Sequence, residues 1–388
     1  MSIEYKRSNI TNIILNSANT TITFSIAYNM HGFFNYPNRT THDMNSSQYA
    51  PANFNTYTSN AKHWNSVFYN RRDLTDIPNY NMDNAIDMNF AFSKCINLVN
   101  TPVIPNSVTE MAGTFEDCYN LTNAPTIPNS VINMTYTFRN CSNLVNVPVI
   151  PNSVINMMET FINCKSLINA PIIPDSVTTM IMTFYNCTNL INGPTSIGNN
   201  VINMADTFRN CYNLINVSNI PDSVTVMSGA FENCISLVNA PYIGNNVTTM
   251  YNTFYNCTNL TNIPYIPNSV TSMYNTFYNC TNLISVPDIP NSVTYMARTF
   301  KGCTSLISAP NIGYKVTSME QIFMNCPLSG DMYIHSNNVS IVSGCFNNHN
   351  NTTTLNVYVH SGTTTYTKFY SYFGGTYNSK LNIYLKTF

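Results

Sequence analysis

Along most of this chain, apolar and polar positions follow one recurring rhythm. Over residues 270–283 the apolar side chains are Val270, Met273, Phe277, Cys280 and Leu283, stepping by 3, 4, 3 and 3. That is helical spacing, and it predicts a short helix or a chain of helical turns with one apolar face. The stretch before it, "TNIPYIPNS", reads differently. Pro264 and Pro267 fix φ and push the residues ahead of them into extended backbone. Pro-Asn-Ser, replaced in some units by Gly-Asn-Asn, is turn chemistry. Each unit is therefore expected to be a short extended segment, a turn, and a helical segment that returns the chain to its start.

The unit recurs. Cysteines stand at Cys95, Cys118, Cys141, Cys164, Cys187, Cys211, Cys234, Cys257, Cys280, Cys303, Cys326 and Cys345. Their spacing is 23 residues, except 24 from Cys187 to Cys211 and 19 from Cys326 to Cys345. A Phe lies three before each cysteine through Cys326, as in Phe115, Phe254 and Phe277, and a Leu lies three after most of them. A degenerate earlier copy has Phe68, Leu74 and Pro78, with Arg71 in the cysteine slot. Fixed-period self-similarity of this kind marks a repeat array, in which one unit cannot bury its own apolar face and stacking supplies the burial. The expectation is a repeat solenoid of about eleven 23-residue units over residues 64–345.

The ends depart from the pattern. Residues 1–63 would cap or attach the array, and Ile22, Phe24, Ile26 and Tyr28 alternate like a strand. After Cys345 the pattern stops, and residues 346–388 read as an α+β cap. There "TLNVYV" (354–359) and "KLNIYL" (380–385) look like paired strands, with a short helix between them ending at Gly374.

"IPNSVTSMYNTFYNCTNL" resembles the BspA-like (Treponema pallidum-type) leucine-rich repeat, whose copies share the 23-residue period and read close to "IPxSVTxIxxxAFxxCxxL". The resemblance covers residues from about 64 to 345. Met stands where Ile is usual, Pro264 interrupts the short strand, and the usual Gly after Ile is mostly absent. The resemblance implies a leucine-rich-repeat-like solenoid and attachment to host proteins, glycans or other cells.

Composition narrows the function further. Lys and Arg number 16, Asp and Glu 17, and the net charge is -1. Nucleic acid is an unsuitable partner, because phosphate binding needs clustered cations. The same scarcity of charge argues against electrostatic membrane attachment. Asparagine makes up about one residue in six, so neutral polar groups must provide solubility; an AT-rich genome would also produce that bias. The start, "MSIEYKRSNITNIILNSANTTITF", has no apolar core of a secretory signal, and the sequence offers no transmembrane helix. A dozen thiols without an obvious pairing suit folding in a reducing cytoplasm.

Candidate chemistry is sparse. Each cysteine is alone in its unit, so the column reads as small buried hydrophobes rather than metal ligands or disulfides. The structural ladder is expected to include Cys118 through Cys280 together with Phe115, Phe254 and Phe277. Asparagines one before and five after the cysteines read as stacked amides that satisfy turn backbone and one another. The six histidines are scattered, the acids Glu116, Asp175, Asp222, Glu232 and Asp288 sit in drifting slots, and no catalytic motif is present. No enzyme, cofactor or metal is expected.

Binding is expected on the drifting positions, which face outward in a repeat protein. Tyr242 and Tyr265 lie between the prolines, and Tyr185, Tyr251, Tyr255, Tyr274 and Tyr278 lie on the helical half. Tyr and Asn provide contact area and hydrogen bonds without charge, as paratopes and many sugar-binding surfaces do. Recent duplication of near-identical units would leave the same tyrosines. The expectation is a non-enzymatic adhesion or binding protein that displays this surface outside the cell to a host protein or glycan. A phage or viral receptor-binding or fibre component, made in the cytoplasm and contacting other virion proteins, is one form of it. A structural spacer or decoration and an intracellular interaction scaffold are the alternatives; the sequence assigns no oligomeric state.

Overall fold

The computed structural model describes residues 61–77, 80–349, 354–373 and 380–386, with the backbone of two further strands, β1 (Ile13–Leu15) and β2 (Ile22–Phe24). β1 and β2 pair antiparallel. Ile26, Tyr28, Pro78 and Gly374 lie outside the described residues. The chain forms two compact units, Met1–Leu167 and Ile168–Phe388.

In both units the fold is a repeat solenoid whose apolar half is a chain of turns rather than an α-helix. The reason lies in the backbone. Two positions in each rung, five before and one before the cysteine, have positive φ, as at Asn275 (52°) and Asn279 (56°). A left-handed residue stops a right-handed helix from propagating. The amides then alternate in direction. Thr276, Tyr278 and Cys280 donate to the residue three earlier at 3.1 to 3.2 Å, whereas Met273, Asn275, Phe277 and Asn279 donate to carbonyls of the next rung at 2.8 to 3.1 Å. Every second amide thus closes a turn and every other one joins two rungs.

The predicted apolar stripe faces inward. Val270, Met273, Phe277, Cys280 and Leu283 are all completely buried. Phenylalanine rings stack face to face from Phe68 to Phe161 in the first unit, with centroids 5.2 to 5.6 Å apart. In the second unit they stack from Phe184 to Phe346 at 5.3 to 5.9 Å. At the start of the first unit Trp64 stacks on Phe68 and donates its indole N–H to the Ala61 carbonyl.

All twelve cysteines are buried thiols. Within each unit thiols of the ladder donate to a phenylalanine carbonyl of the previous rung, as Cys118 to Phe92 (3.2 Å), Cys141 to Phe115 (3.1 Å) and Cys280 to Phe254 (3.1 Å). Burial pushes these thiols far up; Cys95, at the edge of the column, is pushed up to about 12. One column that sequence reasoning passed over lies beside them. In eight rungs, from Thr114 to Thr299, the residue before the Phe is a buried Thr, and Thr299 Oγ1 lies 2.8 and 2.7 Å from the Met273 and Met296 carbonyls.

The last cysteine does not continue the ladder, which corrects the expectation that the pattern stops there. Phe346 and the positive-φ residues Gly344 and Asn348 keep the 23-residue register, so His349 occupies the cysteine slot and Cys345 lies four residues ahead of it. The 19-residue gap is therefore a change of slot, and the turns run on to residue 348.

The extended halves hold single parallel bridges rather than long strands, in two columns such as Asn239↔Asn262 and Thr249↔Ser272↔Tyr295. Asparagines line them. Asn146 Nδ2 donates to Asn123 Oδ1 at 2.6 Å, and Asn192 to Asn169 at 2.8 Å. The column before the cysteines does likewise: Asn163 to Asn140, Asn233 to Asn210 and Asn256 to Asn233, at 2.6 to 2.9 Å. In the Pro-Asn-Ser turn, the Ser hydroxyl donates to the Val carbonyl of the rung before, at 2.6 Å for Ser269 and Val247.

The two Gly-Asn-Asn turns each follow a Pro-Asp-Ser turn. Asp175 Oδ1 accepts from the Asn199 amide (2.8 Å), and Asp222 Oδ1 from the Asn245 amide (2.7 Å). A Cβ on Gly198 or Gly244 would lie 2.2 Å from the Pro174 or Pro221 carbonyl oxygen. The single extra residue between Cys187 and Cys211 is absorbed before Ser196, whose carbonyl accepts from Ile173, and the buried columns on either side keep their register.

The C-terminal segment is built as expected and is larger than expected. β3 (Gly330–Ile334), β4 (Leu355–His360) and β5 (Leu381–Lys386) form a parallel sheet in that order. Helix α1 (Thr364–Phe373) joins β4 and β5. Its Phe369 and Phe373 close on Phe346, with centroids 6.3 and 5.7 Å away, and seal the end of the aromatic stack.

Candidate functional site

The outward side of the turn half carries four adjacent positions in each rung: six, five, two and one before the cysteine. In the unit Ile168–Phe388 this face brings together most of the tyrosines expected to bind. Tyr251 stacks on Tyr274 at 5.1 Å, and Tyr255 on Tyr278 at 4.8 Å, with the rings within 15° of parallel. The scaffold explains why: identical slots on adjacent rungs lie one inter-rung step apart, so equal side chains must stack. Tyr295 joins the first column at 5.7 Å from Tyr274. Sequence reasoning missed it, since it stands just before Met296, in a different slot from Tyr274.

Tyr242 and Tyr265 form their own pair at 5.9 Å on the proline side of the rung. Tyr185 stands apart from the other tyrosines, under the Arg209 guanidinium at 5.9 Å. Between Tyr185 and Tyr255 the column carries Arg209 and then Glu232. Arg209 holds Asp206 at 3.3 Å and Glu232 at 3.0 Å. Burial pushes the Glu232 carboxyl up, with Arg209 opposing it. The phenols of Tyr255 and Tyr295 are also raised, by burial first and then by the neighbouring tyrosine.

Beyond the tyrosines the face turns basic. Arg298 donates to the Tyr274 hydroxyl (3.3 Å) and pairs with Glu320 (3.3 Å). Lys301 lies 5.5 Å from the Tyr278 ring centre and donates to Gln321 Oε1 at 2.7 Å. In the unit Met1–Leu167 the same slots hold a different set, with Arg139 between Glu116 (3.9 Å) and Glu159 (3.4 Å). Among the described residues no cluster of His, Cys, Asp or Glu could hold a metal ion, and no helix is long and apolar enough to cross a membrane.

A rung with a fixed Phe, Cys and Leu, an outward polar face and a 23-residue period defines a leucine-rich-repeat solenoid. The family described as BspA type leucine rich repeat region (6 copies) matches residues 64–191, 112–238, 182–307 and 275–379, and the chain belongs to that family. Among solved structures, a leucine-rich repeat protein from Bacteroides ovatus is 19% identical, with a TM-score of 0.47, covering 82% of this chain and 86% of that one. A leucine rich cell surface protein from Faecalibacterium prausnitzii is 17% identical, with a TM-score of 0.42, covering 80% and 87%. No curated protein matches the chain.

Proposed function

We propose that this chain is a non-enzymatic binding protein that displays the Tyr- and Asn-rich face of its repeats to a protein or glycan on a host or neighbouring cell. The observation that carries the reading is the double column of stacked tyrosines, Tyr251–Tyr274–Tyr295 and Tyr255–Tyr278, held outward on a rigid scaffold. Rigid aromatic side chains offer large contact area at small entropic cost, and their hydroxyls add hydrogen bonds. Membership of the BspA-type repeat family supports an attachment role. A virion setting has no support among the similar proteins, and the reading does not depend on it.

The test is binding of the full chain to arrays of mammalian and bacterial glycans and extracellular proteins. Tyr251→Ala/Tyr274→Ala is expected to weaken any specific signal about tenfold or more, as loss of paired aromatic contacts does. A signal untouched by those changes, or no signal at all, would put the spacer reading in its place.

A further inference from the structure

The geometry points to a carboxylate-bearing, extended, β-linked saccharide chain as the ligand of the tyrosine face in the unit Ile168–Phe388, with Lys301 receiving the carboxylate. The inference rests on the binding reading above and names its ligand class.

Stacking decides what the tyrosines can offer. A ring covered on both sides by neighbours shows its edge and its hydroxyl outward, not its face. Tyr274 lies between Tyr251 and Tyr295, and Tyr278 between Tyr255 and the Lys301 ammonium. The surface is thus a row of phenol edges repeated at 4.8 to 5.7 Å. An extended polypeptide advances about 3.3 Å per residue, so its side chains drift out of step with such a row. A β-1,4-linked hexose chain advances by nearly one sugar per rung. Each sugar then meets the same kind of hydroxyl partner.

Charge supplies the second half. The second tyrosine column gives way to a cation, Lys301, on the rung that also carries Arg298 and the last ring of the first column, Tyr295. Arg298 is matched by Glu320, and on the opposite flank Arg209 faces two carboxyl groups, Asp206 and Glu232, so that the acid is in excess there. Among the described residues the partners of Lys301 are neutral, the Gln321 amide oxygen and the Tyr278 ring. The platform therefore ends in one uncompensated positive charge. A neutral glycan would leave it unmatched, whereas a uronate would form a charge-assisted hydrogen bond there.

The experiment titrates the full chain by calorimetry with three probes: a hyaluronan octasaccharide, in which glucuronate alternates with N-acetylglucosamine; chitohexaose, which has the acetamido sugar alone; and a polyglutamate peptide. At low salt hyaluronan is expected to bind about tenfold or more tighter than chitohexaose, with the difference shrinking as salt rises. Lys301→Gln should bring the two saccharides to the same affinity with an unchanged melting curve. Tyr255→Ala/Tyr278→Ala should weaken both. A hyaluronan preference that survives Lys301→Gln, polyglutamate binding as tight as hyaluronan, or no saccharide binding at all would each overturn the assignment. If the saccharides fail while Tyr251→Ala/Tyr274→Ala still abolishes a protein signal on the arrays, the binding reading stands and only its ligand class falls.

Discussion

Asn256 shows how much one position of a rung has to satisfy. Its φ of 59° is left-handed, and its side chain donates to Asn233. A left-handed backbone costs an ordinary L-residue about 1–2 kcal/mol, while Asn and Gly visit it readily. Asn256→Ala is therefore expected to destabilise the chain by about 1–2 kcal/mol and Asn256→Gly by less, measured by urea unfolding. The amide column was readable from the sequence because Asn recurs one before the cysteine. The backbone reason behind it was not. The companion slot four residues earlier is filled by Tyr136, Glu159, Met182, Asn275 and Arg298, all at positive φ, and such variety hides a shared conformation.

The thiols make a second residue-scale prediction. Folded-state burial raises them above the ordinary 9.0, to about 12 at Cys95. Above pH 9 the unfolded chain releases these protons while the folded chain keeps them. Stability is thus whole below about pH 9 and falls as pH rises, by about 1.4 kcal/mol per pH unit for each thiol until its folded value is reached. Circular dichroism should show cooperative alkaline unfolding, and Cys257→Ala/Cys280→Ala should lower the proton release on unfolding near pH 10 by about two. Alkylation of the folded chain at pH 8 should label none of the twelve.

At the scale of the element, the turn half and the extended half differ in legibility. Both prolines and the 3-4-3-3 spacing announce the alternation of the two halves, and the buried stripe follows from the spacing alone. Whether that half is helix or successive turns depends on hydrogen bonds to the next rung, which periodicity within one unit does not encode. β3 was missed for a similar reason: its five residues are held by β4, with Gly330 opposite Leu355, and nothing local in "GDMYI" sets it apart. The glycine turns give a sharp test. Gly244→Ala should cost about 2 kcal/mol by thermal or urea unfolding, because its Cβ meets the Pro221 carbonyl oxygen and backbone cannot step aside as a side chain would.

For the whole molecule, the 23-residue period was enough to give the fold class, since stacking is the only way such units bury their apolar faces. The candidate face was legible only as far as the drifting columns go. Tyr251, Tyr255, Tyr274 and Tyr278 could be picked out, but their stacking, the addition of Tyr295 and the cationic rung beside them depend on which slots coincide in space. The sealed end carries its own prediction. Phe369 and Phe373 cover Phe346, and truncating both to Ala should cost roughly 3–5 kcal/mol or more of local stability. Hydrogen exchange should loosen first in the rungs nearest α1, and size-exclusion chromatography should show new self-association through the exposed ring.

The Pro-Asp-Ser and Gly-Asn-Asn turns alternate twice in succession, and each Asp serves the Asn of the rung that follows. Here the heritable module is a couplet of rungs. Unequal recombination that shifts this region by an even number of units keeps every carboxylate beside its amide. A shift by one unit strands an Asn against a turn with no acid and presses a proline into the space a glycine had cleared. Length variants of this array should therefore gain and lose these rungs in twos, while the uniform Pro-Asn-Ser rungs are free to change singly.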